Sequence, residues 1–154
     1  MMKKRKEKRY AQGLTRVASE GDGDFVQKLS CEVFSIYGDY DEIVPRWLSN
    51  PDVLTLIYVD DVHPLGFAML SVPSGEILAI AVMPQYQRTR IGSVLLKRIR
   101  HLASQLGLRR LTVHTADENA GAQLFFQKAG FEVIGSRERY YSQGQTALVM
   151  SKSI

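Results

Sequence analysis

The residues over 82–96 (VMPQYQRTRIGSVLL) have the types and spacing of a phosphate-binding turn. An apolar run ends, a short polar turn follows and an amphipathic helix begins. Successive backbone N–H groups and the helix N-terminus then point at one place, which binds phosphate. Gly92 would let the backbone approach a ligand closely, and Arg88 and Arg90 add positive charge. The alternative is that Pro84 and Gly92 only mark the connection between a strand and a helix.

The elements that hold this turn are a predicted strand before it and a predicted helix after it. Residues 76–83 (EILAIAVM) are almost continuously apolar, which predicts a strand buried on both faces. Apolar residues recur at helical spacing over 91–106. A strand over 110–115 and a helix over 119–130 follow, with Asn and Gly as its N-terminal and C-terminal signals. The alternation across 76–130 implies a right-handed crossover and local parallel pairing.

The rest of the chain predicts antiparallel strands with two inserted helices. Strands over 53–59 and 66–72 form a hairpin with its turn at His63-Pro64. The other predicted elements are a strand over 14–18, helices over 25–36 and 41–48, and terminal strands over 131–135 and 146–151, which residues 137–145 connect. No shift in composition divides 13–154, so we predict one α/β domain with a mixed sheet.

Composition favours a soluble globular protein, with 45% hydrophobic and 23% charged residues. Charge-free runs such as 77–87 are shorter than the ~20 apolar residues of a membrane span, and no apolar stretch follows the basic N-terminus as in a secretory signal. Cys31 is the single cysteine, which excludes an internal disulfide and a Cys-based zinc site. We therefore predict a cytoplasmic protein without a membrane partner.

The net charge of +4 belongs to the N-terminus. Residues 3–9 (KKRKEKR) hold six bases and one acid, so the remainder carries 4 − 5 = −1. Two interpretations of residues 1–12 stay open: a disordered solubilising tail, or an electrostatic handle for ribosome or nucleic acid. Nucleic-acid binding by the domain itself is not indicated.

Two blocks of this sequence resemble the GNAT superfamily of acetyl-CoA-dependent N-acetyltransferases. The stretch over 82–96 is similar to the family's acyl-CoA motif Q/R-x-x-G-x-G/A, with Gln87 first, Gly92 last, and Arg90 where the first glycine usually stands. The stretch over 119–131 (NAGAQLFFQKAGF) is similar to the family helix N-x-x-A-x-x-F/Y-Y-x-x-x-G-F.

The C-terminal segment of the chain looks most like that of the family branch that acetylates protein N-termini, which includes ribosomal-protein alanine acetyltransferases. The resemblance is good over 75–151 and weak over 14–74, the half that usually shapes the acceptor site. It implies a GNAT-like fold: a twisted, mostly antiparallel sheet of about six or seven strands, splayed between strands four and five and flanked by about four helices.

The resemblance also implies acetyl-CoA as the co-substrate, without a metal. The residues that it places at the acyl-CoA are Ala81, Val82, Met83, Gln87, Arg88, Thr89, Arg90, Ile91, Gly92, Ser93, Asn119, Phe125, Phe126 and Lys128. By the same analogy, the N–H of Val82 or Met83 donates to the thioester oxygen.

The resemblance places two titratable side chains where relatives carry a base. Glu76 heads the fourth strand, and His114 lies near the end of the fifth. Both are predicted to share removal of the ammonium proton, through water. The alternatives are a solvated carboxylate and a polar residue at a strand end.

The family's usual acid, a tyrosine, is replaced here by Phe126. A thiol of pKa ~8.5 leaves as thiolate at pH 7 at a cost of roughly 2 kcal/mol, which the field of a helix N-terminus can partly offset. Tyr140 or Tyr141 could replace the acid, line the acceptor channel or simply pack.

The sequence leaves the chemical class of the acceptor amine open. Deprotonation at pH 7 costs roughly 1.4 kcal/mol for an α-amine of pKa ~8 and roughly 4.6 kcal/mol for a lysine, which favours the N-terminus of a protein or peptide. The alternatives are a small-molecule amine acetyltransferase, acting on a polyamine, amino acid or antibiotic, and a non-catalytic acyl-CoA-binding regulatory module. Either a monomer or a homodimer is compatible with the sequence.

Overall fold

The computed structural model describes residues 13–154, which form one seven-stranded sheet and four α-helices. The strands are β1 Leu14–Val17, β2 Val53–Asp60, β3 His63–Ser71, β4 Glu76–Val82, β5 Arg110–Ala116, β6 Glu132–Arg137 and β7 Ala147–Ser153. The helices are α1 Gly23–Phe34, α2 Tyr40–Ser49, α3 Ile91–Gln105 and α4 Ala120–Lys128. Among these helices, none is long and apolar enough to cross a membrane. The predictions for residues 1–12 lie outside the described part of the chain.

The sheet has the order β1-β2-β3-β4-β5-β7-β6, and its neighbours are antiparallel except for β4 and β5. These two strands are parallel and pair only where Glu76 meets Thr112 and Ile77 meets Val113. Beyond those pairs they diverge. The predicted mixed sheet, splayed between its fourth and fifth strands, is therefore confirmed.

The divergence leaves one edge of β4 unpaired near its C-terminal end. The N–H of Met83 donates to the carbonyl oxygen of Leu65 in β3 at 2.9 Å. Because backbone groups alternate in direction along a strand, those of Ile80 and Val82 face the gap beside β5. The gap therefore offers backbone hydrogen-bonding groups to a ligand.

The two faces of the sheet each bury an apolar cluster under a pair of helices. Under α1 and α2 the cluster comprises Val26, Leu29, Val44, Ile57, Phe67, Met69, Ala79 and Ala81. Under α3 and α4 its larger members include Leu56, Tyr58, Leu70, Ile91, Leu95, Ile99, Leu111, Phe126 and Met150. Burying each large apolar side chain contributes ~1.5–3 kcal/mol. Both clusters thus hold β4 rigidly between layers.

Two details of the predicted strands are wrong. β4 is not buried on both faces: Ala79 and Ala81 are buried, whereas Ile80 and Val82 are half-buried because β5 diverges beside them. The hairpin turn lies before His63-Pro64, and these two residues begin β3. Proline, which has no N–H to donate, is tolerated there because the β2–β3 register is irregular next to it.

Candidate active site

The predicted phosphate turn leads from β4 into α3 with two residues in the left-handed region. Arg88 has φ 65° and Arg90 has φ 71°, so the backbone curls and its N–H groups converge. Arg90 is the N-cap of α3, and its side chain makes no capping hydrogen bond to the first turn. The first N–H groups of that helix are therefore available to an anion.

Side chains of the turn brace its backbone. Nε2 of Gln87 donates to the carbonyl oxygen of Val82 at 3.2 Å, which places this amide across the end of β4. The hydroxyl of Thr89 donates to the carbonyl oxygen of Tyr86. Gln87 and Thr89 therefore support the turn from within, and Gln87, Arg88 and Arg90 line a groove beside it.

This groove, which we call the turn groove, is a cavity of about 450 Å³ between the end of β4, the start of α3 and α4. It is lined by Val33, Ile80, Ala81, Val82, Tyr86, Gln87, Arg88, Arg90, Ile91, Gly92, Ser93, Gly121, Ala122, Phe125 and Phe126. A Cβ on Gly92 would lie 3.4 Å from the ring of Phe125. The Cβ itself would fit at van der Waals distance, so it is the further branches of a larger side chain that would intrude into the groove.

A second, basic cavity of about 310 Å³ continues between α3 and α4. Ser93 lies in both cavities, and Lys97, Arg100 and Lys128 line the second. The positive side chains thus extend from the phosphate turn along one side of the molecule. Such a surface suits a long ligand with several negative charges.

Glu76 and His114 meet where β4 and β5 begin to separate. Nδ1 of His114 and Oε1 of Glu76 lie 2.6 Å apart, so the two side chains are in direct contact. The two side chains are 14% and 26% exposed, respectively. Nε2 of His114 is buried and, within residues 13–154, has no hydrogen-bond partner. A buried ring nitrogen without a partner is costly unless a ligand uses it.

This pair lies in a cavity of about 230 Å³, which we call the aromatic cavity. Tyr140 stacks on the His114 ring, with centroids 4.6 Å apart and planes 2° from parallel. Tyr141 stands at 89° to Tyr140, with centroids 4.9 Å apart. Burial, and then the negative charge of Glu76, raise the pKa of the Tyr140 phenol. Burial also raises the pKa of Tyr141. Both phenols are therefore neutral near pH 7.

A second wall of the aromatic cavity comes from residues that the sequence analysis did not single out. Phe34, Tyr37, Tyr40 and Trp47, from α1, α2 and their connection, line it. Burial raises the pKa of Tyr40 to about 12, with the charges of Tyr140 and Glu76 as smaller contributions. Aromatic residues are frequent over 34–47, but helical spacing alone does not separate a cavity wall from a core.

The connection between β6 and β7 contacts the connection between α1 and α2 through hydrogen bonds and aromatic rings. Nε2 of Gln145 donates to the carbonyl oxygen of Ile36 at 2.8 Å. The backbone N–H of Ser142 donates to the carbonyl oxygen of Tyr37 at 3.3 Å. The rings of Tyr37 and Tyr141 also contact each other, with centroids 5.1 Å apart. The two aromatic walls are therefore joined by direct contacts.

The turn groove and the aromatic cavity meet inside the protein. Val33, Ile80, Ala122 and Phe126 line both. The carboxylate–imidazole pair therefore lies beyond the end of the groove, where a group carried by a groove ligand would face it. A substrate in each cavity could react at this junction.

Some predicted ligand contacts lie elsewhere. Met83 cannot supply the predicted oxyanion donor, because its N–H is bonded to Leu65. Asn119 lines the aromatic cavity and not the turn groove, and its Oδ1 accepts a hydrogen bond from the backbone N–H of Ala122 at 3.1 Å as the N-cap of α4. Within residues 13–154, no three His, Cys, Asp or Glu side chains group as metal ligands.

A sequence profile described as "Acetyltransferase (GNAT) family" matches residues 24–131, more than half of the chain. The chain belongs to the GNAT acetyltransferase family. A Bacillus subtilis (strain 168) protein assigned to the ribosomal protein bS18 alanine N-acetyltransferases is 27% identical over 132 residues, which cover 84% of this chain and 87% of that protein.

Two solved structures share the GNAT fold of this chain. The ribosomal-protein-S18-alanine N-acetyltransferase from Escherichia coli aligns with a TM-score of 0.81 and 20% identity, over 93% of this chain and 94% of that one. The PaiA N-acetyltransferase from Thermoplasma acidophilum, solved with coenzyme A, aligns with a TM-score of 0.77 and 21% identity, over 93% of this chain and 99% of that one.

Proposed function

We propose that this GNAT protein transfers an acetyl group from acetyl-CoA to the α-amine of a protein or peptide, by direct attack in a ternary complex. The observation that carries the proposal is the Glu76–His114 pair, which lines the aromatic cavity that adjoins the turn groove and whose Nε2 is buried without a partner among residues 13–154. A base is thereby available next to a groove suited to an anionic acyl donor.

The turn groove binds acetyl-CoA in this proposal. The N–H groups of residues 88–93 and the N-terminus of α3 hold the diphosphate, and Arg88 and Arg90 add charge. The backbone of Ile80 and Val82 faces the pantetheine arm. Val82, whose N–H points into the gap between β4 and β5, is the remaining candidate donor to the thioester oxygen.

His114 acts as the general base, and Glu76 orients it. Glu76 accepts the Nδ1–H hydrogen bond, which leaves the lone pair of Nε2 free to remove a proton from the acceptor ammonium. The neutral amine attacks the thioester carbon and the C–N bond forms. The attacking nitrogen then gives up its second proton to the phenolic oxygen of Tyr140 as Tyr140 passes its own proton to the sulfur, and the C–S bond breaks. The phenol of Tyr140, stacked on His114, is thus the proposed source of the proton that the leaving sulfur takes.

The charges of the aromatic cavity favour an α-amine as the acceptor. Among its described lining residues, Glu76 is the sole carboxylate, and no lysine or arginine is present. A polyamine would bury a second positive charge without a partner, which is costly. A lysine would cost roughly 3 kcal/mol more to deprotonate at pH 7 than an α-amine.

A panel of acceptors tests this function. We expect peptides with a free N-terminus to give kcat/KM values at least tenfold above those of N-blocked peptides with an internal lysine, and above those of spermidine. Higher rates with polyamines or antibiotic amines would contradict the α-amine proposal in favour of a small-molecule enzyme. Binding of acetyl-CoA without turnover on any acceptor would point to a non-catalytic module.

Replacing Gln145 with leucine should weaken acceptor binding selectively. Its side chain joins the two aromatic walls through the bond to Ile36. Its backbone carbonyl oxygen, which the substitution keeps, accepts the N–H groups of Tyr140 and Tyr141 at 3.1 and 3.2 Å. Loss of one such side-chain bond costs about 0.5–1.5 kcal/mol. We expect the KM for the peptide to rise about three- to tenfold and the KM for acetyl-CoA to stay unchanged.

The matched control is Gln143→Leu, which makes the same change at an exposed position of the same connection. Steady-state kinetics with each substrate varied in turn separates the two variants. Equal peptide KM values for both would show that the Gln145–Ile36 bond does not shape the acceptor site.

A further inference from the structure

We propose that the aromatic cavity is a cation cage, which binds the acceptor in its ammonium form through the faces of its tyrosine rings as well as through Glu76. The inference deepens the proposed function and rests on the cavity being the acceptor site. It names the charged state in which the amine is recognised, and the residues that recognise it.

Two groups of rings line the cavity together with the Glu76 carboxylate. In one group Tyr40 contacts Phe34 and Trp47, with centroids 5.6 and 6.2 Å apart. In the other group Tyr140 and Tyr141 meet edge to face at 89°, and one face of Tyr140 stacks on His114. Ring faces carry a partial negative charge and attract ammonium groups. Sets of rings around one cavity are the arrangement that proteins use for alkylammonium ligands.

The electrostatics of the lining fit a cation. The cavity has one carboxylate, on Glu76, which lies close enough to Tyr40, Tyr140 and Tyr141 to raise the pKa of all three phenols. The neutral phenols keep the ring faces electron-rich without adding a charge of their own. Within the described lining there is no lysine or arginine to oppose a bound ammonium.

The contrast with the donor side supports the assignment. The turn groove and the basic cavity beside it carry Arg88, Arg90, Lys97, Arg100 and Lys128. In this proposal the negative phosphates bind on one side of the junction and the positive amine binds on the other. At about 230 Å³, the aromatic cavity is several times the roughly 30 Å³ that one water occupies in the liquid.

The volume of the cavity and its lining of rings predict that it prefers a charged ligand over a neutral ligand of the same shape. The cavity should hold a permanently charged trimethylammonium group, which cannot be acetylated. It should bind a neutral group of the same shape more weakly, because apolar contact is equal for both and only the cation interacts with the ring quadrupoles.

The test compares two peptides that differ in one atom. One carries an N-terminal trimethylglycyl group, and the other carries a 3,3-dimethylbutanoyl group, in which carbon replaces the charged nitrogen. Calorimetry on the full chain should give a Kd about tenfold lower for the charged peptide. Tyr40→Leu should abolish most of this preference, whereas Tyr40→Phe, which keeps the ring face, should retain it.

Variants of Tyr140 and Glu76 test the same binding preference at other positions of the cavity. If Tyr40→Leu melts at a much lower temperature, Tyr140→Leu and Tyr140→Phe provide the same comparison on the other wall. Equal binding of the two peptides would overturn the cage. A preference that Glu76→Gln removes entirely, and that no ring substitution changes, would assign recognition to the carboxylate alone and would also overturn it.

The outcome is distinct from that of the acceptor panel because neither probe peptide needs to react. A tenfold preference without turnover of any peptide would keep the cation cage and reject the proposed function. Turnover of free N-termini with equal binding of the two probes would do the reverse.

Discussion

His114→Ala is expected to lower kcat by about 10²-fold or more and to leave the Kd for acetyl-CoA unchanged. The reason is that His114 lines the aromatic cavity, where an amine would lose its proton, and that its Nε2 is buried without a partner among the described residues. General-base catalysis typically contributes 10²–10⁴-fold. Steady-state kinetics with a free N-terminal peptide, and calorimetry with acetyl-CoA, give the two quantities.

His101→Ala is the matched control, because His101 is an exposed residue of α3 away from the aromatic cavity. It should retain the parent rate. Glu76→Gln should also lower kcat by about 10²-fold, since the amide carries no charge to stabilise the protonated imidazole. The double variant should lose little more than His114→Ala alone, because residues that act as one unit are not additive.

A parent rate for His114→Ala would reduce the pair to a structural contact between β4 and β5. Independent losses that multiply in the double variant would mean that Glu76 and His114 act separately. Only the non-additive result supports a positioned base.

Gly92→Val is expected to weaken acetyl-CoA binding by about 10- to 100-fold. A Cβ at this position already lies 3.4 Å from the Phe125 ring, and the branches of valine extend into the turn groove beside the first turn of α3. Overpacking of this kind costs typically 1–3 kcal/mol, which corresponds to about 5- to 150-fold in Kd. Calorimetric titration with acetyl-CoA measures the loss directly.

Gly92→Ala distinguishes an effect on the groove from an effect on protein stability. Its single methyl group needs the Phe125 ring to move only slightly. We expect a loss of a few-fold at most and a melting temperature close to that of the parent. An unchanged acetyl-CoA Kd in a folded Gly92→Val protein would show that the diphosphate does not lie at this turn. The acceptor side should respond differently, since Gly92 does not line the aromatic cavity.

The turn and the helix after Asn119 were predictable from the sequence because their causes are local. Apolar spacing and Gly107 bounded α3 to within about one residue. The side chain of Asn119 caps α4, and Gly130, with φ 95°, follows its end. Each signal acts within a few residues of the structure that it sets, so no knowledge of the rest of the chain was needed.

Backbone pairing was only partly predictable. Both Val82 and Met83 were candidates for the oxyanion donor, because residue type does not say which way an N–H points. The bond from Met83 to Leu65 decides this, and it depends on the register of β3 against β4. A shift of one residue would have reversed the assignment.

The sequence by itself predicted a strand–turn–helix unit of the type that binds phosphate, a mixed sheet and two titratable residues of interest. Tertiary structure alone decided that Glu76 and His114, 38 residues apart, touch directly. It also placed Tyr40 and Tyr140 in the lining of one cavity. The physical reason is that distance across a sheet depends on strand register and on where two strands diverge, and side-chain spacing along the chain encodes neither.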